Sequence, residues 1–463
     1  MDDRMNAETY RARRETLRAT VDGGAILILG NDDAPRNYVD NTYPFRQDSH
    51  FLYYAGISES GMAMLVEPDG GDILFGRPDN ADDLVWHGPR PHVGDHARDA
   101  GFSAFRDVAE LGPTLRRLVA AGVPVHYLPP YRADRSFRLA ALLGRDPVTV
   151  ADGSSSSLSR AVCAQRLVKT DVEIAEIEDA LAVTAEMYRV AMTEARPGRH
   201  EFEIAGLMQA RALALGRQQA FTPIVSVRGE VLHNHSDGNR MADGDLLVMD
   251  SGAESPHWYA SDITRTFPVS DRFTTRQREV YEVVLAAQTA AIGLASPTHD
   301  NRELHLEAAL TIARGLTDLG LMRGDPQAAV SAGAHALFFP HGIGHMLGLD
   351  VHDMEDLGDI VGYPEGETRS TQFGLNFLRM TRRLEPGFVI TVEPGVYFIP
   401  ALIDRWRSEN RHAEFVDYDR VEAYKGFGGI RIEDDVLITD VGSRVLGPGI
   451  PKTVADVEAA CRA

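Results

Sequence analysis

Sulfur has little to do in this chain: 463 residues contain only two cysteines, Cys163 and Cys461. No C-x-x-C pair exists, so neither a disulfide framework nor a cysteine zinc site is expected. Basic residues are also in short supply. Against 68 Asp and Glu stand 47 Lys and Arg, a formal net charge of −21. No basic surplus is available to neutralise phosphates, which argues against nucleic acid and anionic membranes as partners. No uninterrupted run of about 18 apolar residues occurs, so no transmembrane helix is expected. The first residues, Met1 to Arg14, are dense in charge and lack an apolar signal-peptide core. The cytoplasm is therefore the expected compartment.

Several catalytic signatures are missing as well. The zincin motif H-E-x-x-H, the nucleophile elbow G-x-S-x-G and the P-loop G-x-x-x-x-G-K-[ST] are all absent. The glycines around Gly342 do not form G-x-G-x-x-G. What remains is an ordinary globular composition, 44% hydrophobic and 25% charged. The length suggests two to three domains of roughly 100–200 residues each.

The first 150 residues read as a small α/β unit. Strands are expected at 25–29, 62–66, 72–75 and 123–127, and amphipathic stretches near 8–20, 107–120 and 134–143 read as helices. The small polar run 152–157 is the best linker candidate. Beyond it, Thr170 and Glu173 form a T-x-x-E capping box. Ile174, Ile177, Leu181, Tyr188 and Met192 then recur at helical spacing until Pro197-Gly198. Further helices are expected at 201–215, 275–295 and 301–319.

Four short strand-like segments in the C-terminal region each carry a carboxylate among apolar residues. Asp250 ends Leu246-Leu-Val-Met-Asp250, and Asp262 begins Asp262-Ile-Thr-Arg-Thr-Phe267. Glu393 ends Val389-Ile-Thr-Val-Glu393, and Glu433 ends Gly429-Ile-Arg-Ile-Glu433. A carboxylate buried without a partner is costly, so four of them without matching lysines suggest a cation. The stretch Pro340-His-Gly-Ile-Gly-His-Met-Leu-Gly-Leu-Asp-Val-His352 adds His341, His345 and His352 among glycines. Four carboxylates and one imidazole suit two divalent ions about 3.5–4 Å apart, with Mn²⁺, Co²⁺ and Zn²⁺ as candidates.

Together these segments resemble the pita-bread metallopeptidases, most closely the proline-specific branch of prolidase (Xaa-Pro dipeptidase) and aminopeptidase P. The resemblance covers nearly the whole chain. It implies an α/β architecture with an aminopeptidase P-type accessory domain over residues 1–155 and a pita-bread catalytic domain over 165–463. The stretch Tyr43-Pro-Phe-Arg-Gln-Asp-Ser-His-Phe-Leu-Tyr-Tyr-Ala-Gly56 looks like part of that accessory domain. The resemblance implies that Asp250, Asp262, His345, Glu393 and Glu433 hold two metal ions, Mn²⁺ foremost, with Asp262 and Glu433 bridging. It implies that His233, His341 and His352 surround a small peptide substrate, and that Arg431 supports the ligands from behind. Glu393 would carry the proton, and His352 and His233 would stabilise the developing oxyanion.

The segment Leu378-Arg-Met-Thr-Arg-Arg-Leu-Glu-Pro-Gly387 resembles the prolidase stretch whose first arginine grips a dipeptide carboxylate. Arg379 is the candidate clamp. The long insertion from Tyr397 to Gly429 and the tail Ile450 to Glu458 look prolidase-like too. Departures cluster near His233: Asn234 and Phe221 stand where the family usually has tyrosine. Aminopeptidase P acting on longer Xaa-Pro peptides is the alternative. A pita-bread binding module without catalysis is the remote one, since such modules are expected to lack ligands. The resemblance also implies a homodimer.

Overall fold

The computed structural model describes residues 5–78 and 81–463. One compact unit comprises the chain up to Arg166 together with Met354–Gly358. Its mixed sheet contains β1 (Ala25–Leu29), β2 (Ala63–Val66), β3 (Asp72–Gly76), β4 (Ala104–Asp107) and β5 (Val125–Tyr127), in the order β4-β3-β2-β1-β5. β1, β2 and β3 pair antiparallel, while β4 and β5 join the two edges in parallel. Every residue of β1, β2 and β3 is buried. Leu27, Leu65 and Phe75 form one core with Leu115 and Leu139, which come from helices Leu111–Ala120 and Ala133–Leu143.

The fourth expected strand starts two residues later than its apolar pattern suggests. Pro124 has no N–H to give a ladder, so it only accepts the Ala25 N–H at 2.8 Å before pairing begins at Val125. The polar run 152–157 holds the end of a 3-10 turn, Val150–Gly153, and the start of helix Ser156–Leu167. The change of compact unit comes later, between Arg166 and Leu167.

The second unit, Leu167–Asp353 with Asp359–Ala463, has two halves, each with a helix pair and a three-stranded sheet. In one, helices Asp171–Glu194 and Glu201–Ala214 pack together, and their half carries β6 (Ile224–Ser226), β7 (Leu246–Ser251) and β8 (Ile263–Pro268). These strands form an antiparallel sheet in chain order. In the other, helices Thr275–Leu294 and Asn301–Asp318 pack together. That half carries β9 (Val389–Val392), β12 (Asp434–Ile438) and β13 (Ser443–Val445), in the order β13-β12-β9. A two-stranded ribbon joins β10 (Gly395–Tyr397) to β11 (Gly429–Arg431).

The first helix shows why these elements form. Glu173 N donates to Thr170 Oγ1 at 3.5 Å, and Thr170 N donates to Glu173 Oε2 at 3.0 Å, the reciprocal capping that the T-x-x-E spacing predicts. The five apolar positions of the expected stripe, from Ile174 to Met192, are all buried. No described helix is long and apolar enough to cross a membrane.

Candidate metal centre

Two of the expected strands are broken at their carboxylates. β9 ends at Val392 and β10 begins at Gly395, leaving Glu393-Pro394 between them. β11 ends at Arg431 and β12 begins at Asp434, leaving Ile432-Glu433 between them. Val392 pairs with Asp434, and Gly395 pairs with Arg431. The two gaps therefore face each other where the chain crosses from one sheet to the next. The freed N–H groups find other partners: Glu393 N donates to Ile343 O at 2.8 Å and Glu433 N to Thr264 O at 3.0 Å. Sheet switching thus points both glutamates into one cavity.

That cavity, of about 1030 Å³, is lined by Asp250, Asp262, His345, Glu393 and Glu433, and also by His233, His341, His352, Arg379 and Arg431. All ten residues singled out in the sequence therefore meet in one place. Asp262, His345 and Glu433 each offer a ligand atom within 4.8 Å of the others. Glu393 Oε1 lies 3.7 Å from His345 Nε2, beside that group. Asp250 Oδ2 accepts from Arg431 Nη2 at 2.6 Å.

The donor set fits divalent cations. His345 Nδ1 lies 3.1 Å from the Met346 carbonyl, which can only accept, so Nδ1 donates there and Nε2 faces the carboxylates. Nε2 is 3.5 Å from Asp262 Oδ2. Asp262 Oδ1 and Asp250 Oδ1 are buried and have no hydrogen-bond partner among the described residues. Burial, reinforced by the neighbouring carboxylates, holds Asp262 and Glu433 well above the usual carboxylate range. Burial also pushes Glu393 up to about 7, against the pull of Arg431. Acceptors crowded this closely, with oxygens left over, are what a cation site requires.

Arg431 organises the centre from behind. Besides Asp250 it reaches Thr264 Oγ1 at 3.0 Å through Nε and the Tyr397 hydroxyl at 3.0 Å through Nη1. Thr264 Oγ1 in turn donates to Glu433 Oε2 at 2.6 Å.

The histidines divide by their partners. His341 is engaged on both ring nitrogens, with Gly342 O at 2.8 Å from Nδ1 and the Tyr397 hydroxyl at 2.9 Å from Nε2. Burial first, then Arg431, drives its pKa down to about 3. It is a neutral ring fixed in the wall. His233 is also held below its ordinary value, by burial and by Arg431. Its neighbour Asn234 turns away, donating to Ser226 Oγ at 2.8 Å. Arg379 is half-buried.

Sequence reasoning missed Thr264, which links Arg431 to Glu433, and Tyr397, which links Arg431 to His341. It also missed Phe373, Phe377 and Leu402 in the cavity wall. For Thr264 a signal existed: it lies two residues from Asp262, on the same face of an extended chain.

Residues 175–440 match Metallopeptidase family M24, and residues 10–126 match the Aminopeptidase P, N-terminal domain. The Xaa-Pro dipeptidase of Homo sapiens is 32% identical over 450 residues, covering 95% of this chain and 89% of the relative. The Xaa-Pro aminopeptidase of Escherichia coli is 32% identical over 478 residues, covering 99% of this chain and 98% of the relative. Among solved structures, an aminopeptidase of Pseudomonas aeruginosa is similar with a TM-score of 0.82 at 30% identity, covering 99% of this chain and 98% of that one. Zn-substituted E. coli aminopeptidase P in complex with product gives 0.81 at 29% identity over the same shares. The chain belongs to metallopeptidase family M24, with the pita-bread fold and an aminopeptidase P-type N-terminal domain.

Proposed function

We propose that this chain hydrolyses the peptide bond between an N-terminal residue and proline, with Xaa-Pro dipeptides as its main substrates. The observation that carries this reading is the convergence of Asp250, Asp262, His345, Glu393 and Glu433 in one cavity with His233, His352 and Arg379. The relatives named as Xaa-Pro dipeptidase and Xaa-Pro aminopeptidase support it.

In this reading the five ligands hold two divalent ions, Mn²⁺ before Co²⁺ or Zn²⁺. Ions held there supply Lewis acidity toward a water and the scissile carbonyl. Glu393 accepts the proton that the attacking water gives up and passes it to the leaving proline nitrogen. His233 and His352 donate hydrogen bonds to the carbonyl oxygen as negative charge develops on it. A ring kept neutral at His233 still has one N–H to give. Arg379 holds the free carboxylate of a dipeptide through paired charge-assisted bonds. His341 and Arg431 keep the wall and the ligands in register.

Aminopeptidase P activity on longer peptides is the second reading. The relatives named Xaa-Pro aminopeptidase favour it. Residues 165–463 would do the chemistry and residues 1–155 would serve as the accessory domain. Under either reading the protein is a cytoplasmic homodimer. Sedimentation showing only monomer at working concentration would remove the dimer.

Asp262→Ala tests the centre itself. It should abolish metal uptake and nearly all turnover of Ala-Pro. Full activity in that variant would sink the dinuclear assignment.

A further inference from the structure

Three consecutive acids, Glu433, Asp434 and Asp435, stand at the start of β12, the last two inside it, and two of them have clear tasks. Glu433 lines the cavity. Asp434 turns to the other face, where it accepts from Arg265 Nη2 at 2.7 Å, Lys452 Nζ at 2.5 Å and Gln288 Nε2 at 3.0 Å. Asp435 returns to the Glu433 side by the two-residue period of a strand. It is fully buried at 0% exposure, and its Oδ1 has no hydrogen-bond partner among the described residues.

Its other oxygen has a specific contact. Asp435 Oδ2 accepts the backbone N–H of Asp262 at 3.0 Å. Directly across the sheet from Asp435 stands Thr391 on β9. Thr391 Oγ1 accepts the backbone N–H of His345 at 3.1 Å, and Thr391 N donates to His345 O at 2.9 Å. One cross-strand pair therefore grips the backbones of two residues that come from distant parts of the chain. The side chains so held confront each other, His345 Nε2 standing 3.5 Å from Asp262 Oδ2.

A buried carboxylate is expensive to keep, and a single backbone N–H repays little of that cost. Fixing a ligand backbone is a task that warrants it, because outer groups that orient ligands strongly influence metal affinity. Both ends of this arrangement rest on adjacent strands, which deform little.

We propose that Asp435 is a positioning residue of the metal centre: with its cross-strand partner Thr391 it fixes the backbones of Asp262 and His345, and so sets metal affinity. The proposal rests on the reading that Asp262 and His345 bind metal. It assigns Asp435 no contact with substrate.

The test uses the full chain stripped of metal, with Mn²⁺ affinity read by competition against a chromogenic chelator. Asp435→Asn keeps an oxygen that can accept the Asp262 N–H, and it should bind Mn²⁺ much as the wild type does. Asp435→Ala removes that acceptor and should weaken Mn²⁺ binding on the order of 10–100-fold. KM for Ala-Pro at saturating Mn²⁺ should not change. Should Asp435→Ala fail to fold, Thr391→Ser against Thr391→Val poses the same contrast, because serine keeps the oxygen and valine keeps only the shape. Wild-type affinity in both Asp435→Ala and Thr391→Val would overturn the proposal. So would an Asp435→Asn protein weakened as much as Asp435→Ala, since charge rather than positioning would then be at work. Failure of the wild type to bind Mn²⁺ would instead overturn the metal reading on which the proposal rests.

Discussion

Arg431 Nη2 donates to Asp250 Oδ2 at 2.6 Å, the shortest of three contacts that this guanidinium makes. The other two reach Thr264 and Tyr397, so one planar group ties together three different strands. A lysine presents a point charge on a flexible stem and cannot span the same three acceptors. Arg431→Lys should therefore lower metal affinity and turnover on the order of 10–100-fold. Chelator competition and steady-state kinetics would check this. Wild-type values in both would contradict the role assigned to Arg431.

The metal-free protein should have an unusual pH dependence. Burial raises Glu393 from 4.5 to about 7, and Asp262 and Glu433 are raised well above their ordinary values. The folded protein therefore holds protons that the unfolded chain releases. The stability this contributes is fully present below the unfolded values and is lost as pH rises through about 7 for Glu393. Melting of the chelated protein should fall over that window, and Mn²⁺ should restore it at neutral pH. A melting temperature indifferent to both pH and Mn²⁺ would contradict the crowded-carboxylate account.

Much of this architecture was legible in the sequence because it is local. Thr170 and Glu173 form the helix cap that their spacing predicts, and the stripe from Ile174 to Met192 is buried. The candidate ligands were legible for a related reason: acids inside apolar strands need an explanation wherever they occur. What escaped was long-range. The breaks at Glu393 and Glu433 depend on Ile343 and Thr264, carbonyls far away in the chain. Tyr397 gives no sign in sequence that it will meet both His341 and Arg431. Asp435 reads as one more acid in a run until the sheet register places it opposite Thr391.

A separate acid sensitivity should come from His305 and His335. Both are fully buried at 0% exposure. Burial lowers His335 from 6.5 to about 4 and holds His305 well below its ordinary value. Here the unfolded chain binds more protons, so stability is present above 6.5 and is lost as pH falls toward about 4. His335→Phe should flatten part of that loss without changing metal affinity. An unchanged acid limb in the melting profile would rule His335 out as a contributor.

Arg379 offers the clearest separation of substrate length. If it holds the dipeptide carboxylate, Arg379→Leu should raise KM for Ala-Pro on the order of tenfold or more, as expected for losing a charged hydrogen-bond pair. Turnover of Ala-Pro-Ala should be affected less. Equal effects on both peptides would make Arg379 part of the wall rather than a clamp.

The central claim is metal-dependent cleavage before proline, and the most direct measurement is hydrolysis of Ala-Pro, Ala-Pro-Ala and Ala-Ala by chelated protein and by the same protein reloaded with Mn²⁺. The account predicts cleavage of Ala-Pro on reloading, ahead of Ala-Pro-Ala, with Ala-Ala spared and the chelated protein inactive. Cleavage of neither proline peptide with Mn²⁺ bound, or cleavage that persists in the chelated protein, would contradict it.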